Sequence, residues 1–365
     1  MVTNRYNRHN LIDWFSQDRL AHLSVIVIGA GAVGNEVLKN LALLGVGKIR
    51  VVDFDVIEDH NLTRSVLFRP TDVGSFKAEV ASRETALLDE NISVSGQVGD
   101  FWDILSFDDL RSADVVYCCV DNFEARIRCN TLCHVLGVDL VNIGIDSRFA
   151  GVEIFPFSRL PSSACFECHL PSSVYQRIAS RYSCGSLKKL SLVERKIPTT
   201  IVTSSVAAAI GVSKGLRLGQ ADINARAERI MIDTITGAST TVALDRMDGC
   251  PGCGQLPDHF QILTSRPEIG PLGSELGSDA VVIASEPILA SYRVGDHEEL
   301  VFRRASEFDD SFRLSLSPLG DAELEVRDQF TVGEIARRFS SHSMPTKFAV
   351  IRGATETFVL EFKEK

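Results

Sequence analysis

The chain has 365 residues, 45% of them hydrophobic, and a formal charge of −10, which allows a full α/β core plus a smaller second unit. Its acidity and the lack of a Lys/Arg-rich run exclude a nucleic-acid backbone as the main partner, because phosphate binding needs a concentrated basic surface. No apolar stretch reaches the ~20 residues that span a bilayer, and the start, MVTNRYNRHNLIDWF, lacks the apolar core of a secretion signal. A cytoplasmic protein with no membrane partner is expected, and its nine cysteines then read as metal ligands and buried thiols rather than a disulfide framework.

From Ser24 to Ile145 the apolar runs VIVIG, IRVVDFD, ISVSGQ, VVYCCVD and LVNIGI alternate with helical patterns at about 32–44, 75–88 and 123–137, the signature of a parallel sheet with crossover helices. After Gly151 the rhythm changes. A short strand, VEIFPF, leads into a Cys-containing loop and a polar, irregular stretch from about Pro171 to Lys196. A small-residue-rich helix follows over roughly Thr199–Leu218, then two strands, RIMIDTIT and TTVAL, that extend the sheet antiparallel. The fold class predicted is α/β, mostly parallel, with residues 1–260 as the main domain. Residues 261–278, rich in Gly, Pro and Ser, read as a linker. Residues 279–365 read as a small C-terminal α+β domain with strands AVVIA, HEELVF, FRLSLSP, KFAVIRG and TFVLEF and one helix, TVGEIARRF. That helix is opened by Thr331 as N-cap, with Glu334 three residues on.

Gly29-Ala30-Gly31-Ala32-Val33-Gly34 follows a predicted strand and opens a predicted helix, a Rossmann-like turn that lets backbone approach a phosphate at a helix N-terminus. Asp53 closes the next strand about 20 residues on, where a carboxylate can accept from ribose hydroxyls. The motif alone does not choose between ATP and a dinucleotide. Asn61 and Arg64 in NLTR, Lys77 in VGSFK and Asp121 in CCVDN tip the choice, since sheet order would bring all three regions to the carboxyl edge of the strands. A hydride-transfer site has little need of them. An adenylating site does: a substrate carboxylate attacking the α-phosphorus brings anion against anion, so cations must screen the approach, and Asp121 would hold Mg²⁺. Asp55 and Asn122, next to these positions, are counted with the nucleotide-binding residues.

Cys165-Phe166-Glu167-Cys168 and Cys250-Pro251-Gly252-Cys253 form two CxxC knuckles that supply the S₄ set favoured by Zn²⁺; with all four positions filled by sulfur the ion is structural. Cys118, Cys119, Cys129 and Cys133 read as core residues.

The run from Arg5-Tyr6-Asn7-Arg8 through GAGAVG, DFD, NLTR, VGSFK and VDN resembles the E1-like superfamily of adenylating enzymes, over about residues 1–255, some 70% of the chain. The resemblance implies an E1 adenylation fold and an ATP- and Mg²⁺-dependent enzyme in which Asp53 meets the ribose, Asn61, Arg64 and Lys77 the phosphates, and Asp121 the metal. It also implies that Arg126 lies near the nucleotide and that Arg8 reaches across the twofold axis of a homodimer as an arginine finger. Arg8, Arg64, Lys77 and Asp121 are thus the catalytic candidates.

NLTRSVLFRPTDVG and KIPTTIVTSSVAAAI look most like the enzymes that mature microcin-type peptide antibiotics, which adenylate a peptide carboxylate without a thioester cysteine. The microcin enzyme carries a peptide clamp ahead of its adenylation domain; this chain begins almost at Arg5, so none is expected there. The C-terminal domain is instead expected to grip a precursor peptide, by adding it as a strand to a sheet edge, as a pantocin-type enzyme would. The alternative is activation of a ubiquitin-like or sulfur-carrier protein, with Cys184 taking the acyl group as a thioester.

Overall fold

The computed structural model describes residues 5–12, 15–181, 199–218, 226–255, 260–263, 276–308, 323–339 and 344–362. The chain divides into two compact units, Met1–Gln255 and Leu256–Lys365. The first is built on an eight-stranded sheet. Its elements are α1 (Gln17–His22), β1 (Ser24–Ile28), α2 (Ala32–Leu43), β2 (Lys48–Asp53), α3 (Lys77–Ala86), β3 (Ser93–Val98), α4 (Phe101–Ile104), α5 (Phe107–Arg111), β4 (Val115–Cys118), α6 (Phe123–Leu136), β5 (Asp139–Ile145), β6 (Phe149–Phe155), α7 (Ser172–Arg181), α8 (Ile201–Gly215), β7 (Glu228–Asp233) and β8 (Ser239–Ala243).

Strand order is β3-β2-β1-β4-β5-β6-β7-β8. The first five strands pair parallel and the last three join antiparallel, as the alternating and then meandering sequence pattern requires. The order reverses between β1 and β4, the switch point at which open α/β sheets bind ligands outside the carboxyl ends of the strands. β1 and β4 are buried on both faces, the mark of strands covered by helices above and below. On one side α2 and α8 pack together, with Val37, Leu41, Ala208 and Val212 joining Val27, Val141 and Ile143 in the core. Thr200 caps α8 by accepting from the Thr203 amide.

The stretch from Pro171, read from sequence as irregular, contains α7. Val174 is buried and Tyr175 donates to the carboxylate of Glu167 at 2.8 Å, which anchors the first turn of this helix. The later part of that stretch, including Cys184, lies outside the described residues.

The second unit carries β9 (Gln261–Leu263), β10 (Val281–Val294), β11 (His297–Arg304), β12 (Glu323–Thr331), α9 (Val332–Arg338), β13 (Phe348–Arg352) and β14 (Thr357–Glu361). Their path is β11-β10-β13-β14-β9, with β12 also on β10. Three corrections to the sequence reading arise here. Gln261–Leu263, the start of the expected linker, is a strand that pairs parallel with β14, because Leu263 packs against the apolar cluster of this unit. The AVVIA strand runs on to Val294, and β12 was not foreseen. β10 shifts register between Ile283 and Ile288 and again by Ser291, so polar Glu286 interrupts an apolar alternation that the strand nonetheless continues. Thr331 caps α9, accepting from the Glu334 amide at 3.1 Å. The expected FRLSLSP strand lies outside the described residues.

Candidate active site

The glycine turn leaves β1 at the switch point. Gly29 has φ +93°, and a Cβ there would lie 2.9 Å from the Cys119 carbonyl oxygen; a Cβ on Gly34 would lie 1.9 Å from the Gly29 oxygen. Both positions therefore require glycine. Gly31 is the N-cap of α2 and offers no capping side chain, and no atom lies within 4 Å of where its Cβ would be. The first turn of α2 thus presents bare amides at the positive end of the helix dipole.

Asp53 ends β2 next to this turn. Its Oδ2 accepts from the Ala30 amide at 2.7 Å and its Oδ1 from the Asp55 amide at 2.8 Å. Burial raises its pKa above the usual carboxylate range, against the opposing pull of the Ala30 N–H and of Lys77. Lys77, the first residue of α3, points its ammonium at Asp55 Oδ2, 2.7 Å away, while its amide donates to the Asp55 carbonyl at 2.9 Å. Gly29, Ala30, Asp53, Asp55 and Lys77 are therefore one hydrogen-bonded run along the carboxyl edge.

Asn61 closes a short turn by accepting the Glu58 amide at 2.9 Å. Arg64, three residues on, donates to the His60 carbonyl at 2.7 Å. What fastens this segment to the glycine turn is Asn35, which sequence reasoning missed. It is fully buried; its Nδ2 donates to the Ala30 carbonyl at 2.6 Å and the Gly31 carbonyl at 3.1 Å, and its Oδ1 accepts the Leu67 amide at 2.9 Å. The available signal was an asparagine immediately after the last glycine, where a surface-blind apolar pattern expects none.

Asp121 follows β4 across the switch point from the glycine turn. It is exposed, and among the described residues its carboxylate has no hydrogen-bond or ion-pair partner. Asn122 serves as the N-cap of α6, accepting the Ala125 amide at 2.8 Å. Arg126 turns inward: its guanidinium donates to the Val120 carbonyl and to Asn142 Oδ1. Asn142 in turn donates to Glu153 at 2.6 Å, and Glu153 accepts from Arg229 at 2.7 Å. Arg126 thus braces the backbone just before Asp121.

Arg8 stands apart from this group. Its segment is tied to Leu88 and Asp89, ahead of β3, and packs at Gly45, ahead of β2, so it lies at the amino edge of the parallel strands. The glycine turn lies at the other edge, separated by the ~18 Å length of a twelve-residue helix such as α2. One side chain does not bridge that span.

The four knuckle cysteines meet. Cys165 Sγ lies 3.7 Å from Cys250 Sγ and 4.0 Å from Cys168 Sγ, and Cys168 and Cys253 are 3.5 Å apart. All are buried and mutually within 4.8 Å. A tetrahedral ion with ~2.3 Å metal–sulfur bonds sets its sulfurs about 3.8 Å apart, so this set could hold a metal ion. Hydrogen bonds from Cys165, Cys250 and Cys253 hold the Cys168 thiol well below its ordinary range. Burial pushes Glu167, between the ligands, up to about 7. Cys118, Cys119, Cys129 and Cys133 are buried, and burial pushes the Cys119 thiol up.

A mixed sheet extended by antiparallel strands, with a glycine turn at the switch point, defines an E1-like α/β fold. Residues 5–265 match the ThiF family, and the chain belongs to that family. It is 27% identical over 266 residues to the sulfur carrier protein adenylyltransferase of Thermus thermophilus, covering 71% of this chain and 94% of that one. It is 29% identical over 196 residues to ubiquitin-like modifier-activating enzyme 5 of Aedes aegypti, which is 50% of this chain; the chain spans about half (48%) of that relative's length. Among solved structures it resembles E. coli MccB, described as the microcin C7 biosynthetic enzyme and crystallised with N-formylated MccA, at 28% identity and TM-score 0.54 over 69% of this chain and 75% of that one. E. coli MccB has also been crystallised with ATP, and that structure matches at 27% identity and TM-score 0.55, over 69% of this chain and 74% of that one. Among the described residues no helix is long and apolar enough to cross a membrane.

Proposed function

We propose that this chain is an ATP-dependent carboxylate-adenylating enzyme that activates a carboxylate of a ribosomally made precursor peptide, in the manner of the microcin- and pantocin-type maturation enzymes. What supports the reading is the hydrogen-bonded run from the glycine turn through Asp53 and Asp55 to Lys77 at the carboxyl edge of the sheet, in a chain resembling MccB over 69% of its length. The phosphates of ATP lie on the glycine turn, with Asp53 and Asp55 toward the ribose and Asn61, Arg64 and Lys77 toward the phosphates. Lys77 leaves Asp55 to meet them. The substrate carboxylate oxygen bonds to the α-phosphorus as the bond to the bridging oxygen of pyrophosphate breaks, giving an acyl-adenylate. Cations held in place before the reaction stabilise the crowded charge. The unpartnered carboxylate of Asp121 fits a hard cation; Mg²⁺ bound there supplies neutralisation of phosphate oxygens and of the leaving pyrophosphate. Asn122 and Arg126 fix the loop that carries it. Cys165, Cys168, Cys250 and Cys253 hold a structural Zn²⁺.

The active unit is a homodimer. Arg8, at the amino edge of its own sheet, serves the site of the second copy. Apolar residues of the arm, α2 and α8 line one groove, among them Phe15, Leu43 and Val212, which supports a contact there. Mixing Arg8→Ala chains with Asp121→Ala chains should restore part of the activity that each lacks alone; no recovery would place Arg8 outside the partner's site. The exposed strand β11, at one end of the second sheet, receives the peptide as an added strand. Slowed amide exchange in β11 on adding peptide checks this, and unchanged exchange rejects it.

Exchange of labelled pyrophosphate into ATP, run against precursor peptides and diglycine-tailed proteins, tests the central claim. Exchange with a peptide supports it; no exchange with any substrate, beside nicotinamide-dependent absorbance changes, would end it. The second reading, activation of a sulfur-carrier or ubiquitin-like protein, draws support from the match across 94% of the Thermus enzyme. Exchange that depends on a diglycine tail, with turnover arrested in Cys184→Ala, would favour it.

A further inference from the structure

The N-terminal arm is fastened by a buried acid. Asp89 is 1% exposed; one of its oxygens accepts the Tyr6 hydroxyl, and the other lies 3.2 Å from the Arg5 guanidinium and accepts both nitrogens of Asn91 at 3.0 and 2.9 Å. Arg5 also donates to the Leu88 carbonyl at 2.9 Å. The Tyr6 hydroxyl passes over Gly45, which has φ +74° and where a Cβ would lie 2.4 Å from that oxygen. Glycine at 45 therefore makes the passage. Further along the arm, the His9 ring packs on Tyr6 and Phe15, with centroids 5.6 and 4.9 Å away, and its Nδ1 is 2.9 Å from Gln17 Oε1.

Between these anchors the backbone makes a turn, His9 N to Tyr6 O at 2.8 Å and Leu11 N to Arg8 O at 3.3 Å. Tyr6 and His9, three residues apart, face the body of the unit. Arg8 and Leu11 point the other way: Leu11 is 80% exposed, and the exposed Arg8 guanidinium has no partner among the described residues. An exposed arginine is ordinary, but here the turn that carries it is held from both sides, by the buried Asp89 through Tyr6 and Arg5 and by the His9 ring against Phe15. Such a hold suits an arm that must offer an arginine to another molecule, because order set in advance removes the entropy loss that binding would otherwise carry.

We infer that Asp89 is a latch: by holding Tyr6 and Arg5 it presents Arg8, already ordered, to the ATP phosphates of a second copy. The inference deepens the proposed trans role of Arg8 and rests on it. Tyr6, Arg5 and Asp89 are positioning residues, acting only through Arg8.

A double-mutant cycle on the full chain separates this from a plain structural role. Mg·ATP is titrated calorimetrically into wild type, Tyr6→Phe, Arg8→Ala and the double variant. Tyr6→Phe keeps the ring against Gly45 and removes only the hydroxyl. Arg8→Ala should weaken ATP binding about tenfold or more, as loss of a charge-assisted phosphate contact does, and Tyr6→Phe about three- to tenfold. In the Arg8→Ala background Tyr6→Phe should add less than about twofold. An equal Tyr6→Phe effect in both backgrounds would make Tyr6 a general structural contact and overturn the latch. Wild-type affinity in Tyr6→Phe beside a weakened Arg8→Ala overturns the latch and leaves the arginine finger standing. Wild-type affinity in Arg8→Ala removes finger and latch together.

Discussion

Removing Asn35 should uncouple the two halves of the candidate nucleotide site. In Asn35→Ala the Leu67 amide loses its acceptor, at 2.9 Å, and the Ala30 carbonyl loses its donor, at 2.6 Å; the Gly31 carbonyl keeps the backbone amide of residue 35 at 2.9 Å. Asn35 is completely buried, so water does not replace the missing partners without rearrangement. An orphaned buried group costs about 1–3 kcal/mol. Two such groups, partly relieved by relaxation, give an expected loss of about 2–4 kcal/mol, a large fraction of a typical domain's ~5–15 kcal/mol. Urea denaturation should show the midpoint falling with little change in slope. ATP affinity should fall as well, since Arg64 and the glycine turn no longer share a fixed frame. A variant within 0.5 kcal/mol of wild type, a bound taken from ordinary surface substitutions, would refute the reasoning, because it would mean that the Asn35 hydrogen bonds hold nothing together.

Asp121→Ala should slow pyrophosphate exchange about 10²–10³-fold, by analogy with loss of one preorganised electrostatic contact, while thermal unfolding stays near wild type; full exchange would remove the metal assignment. Cys253→Ser should lose bound zinc and melt at lower temperature, read by metal analysis and calorimetry, and wild-type protein purified with zinc present yet metal-free would reject the site. Gly34→Ala forces a Cβ to within 1.9 Å of the Gly29 oxygen and should cost at least the ~1–3 kcal/mol of an overpacked core; an unchanged denaturation midpoint would show that the turn is not held as described. Burial keeps the His134 imidazole below its ordinary pKa of 6.5, so the unfolded chain takes up a proton that the folded one refuses as pH drops below about 6.5. The His134 contribution to stability should therefore fall on acidification below about 6.5, against the opposite contribution of the raised Glu167 carboxyl, and is read as the difference between wild type and His134→Gln; an identical pH profile in the variant would contradict the assignment.

The sheet was legible because its information is local. Runs such as VIVIG and VVYCC are apolar on both faces and bounded by glycine turns, so they read as covered parallel strands wherever they fall. The same holds for the Thr331–Glu334 cap and for the CxxC pairs, whose chemistry lies within four residues. β10 was cut short in the reading because Glu286 breaks the alternation, and α7 was missed because its Ser- and Arg-rich composition masked the four-residue spacing of Val174 and Ile178. β9 was hidden by its brevity: three residues carry no period.

From the amino-acid order alone came the family resemblance, the α/β class and the residue types capable of adenylation chemistry, since these depend on motifs and spacings within one stretch of chain. Tertiary structure alone decided how those residues are arranged. It set the Asn35 tie between the glycine turn and Leu67, turned Arg126 down onto Val120, and fixed Arg8 at the sheet edge opposite its own glycine turn. Each of these depends on which strands become neighbours and on which side of them a loop emerges. Those are properties of the assembled sheet, and the sequence around one end of such a contact does not name the other end.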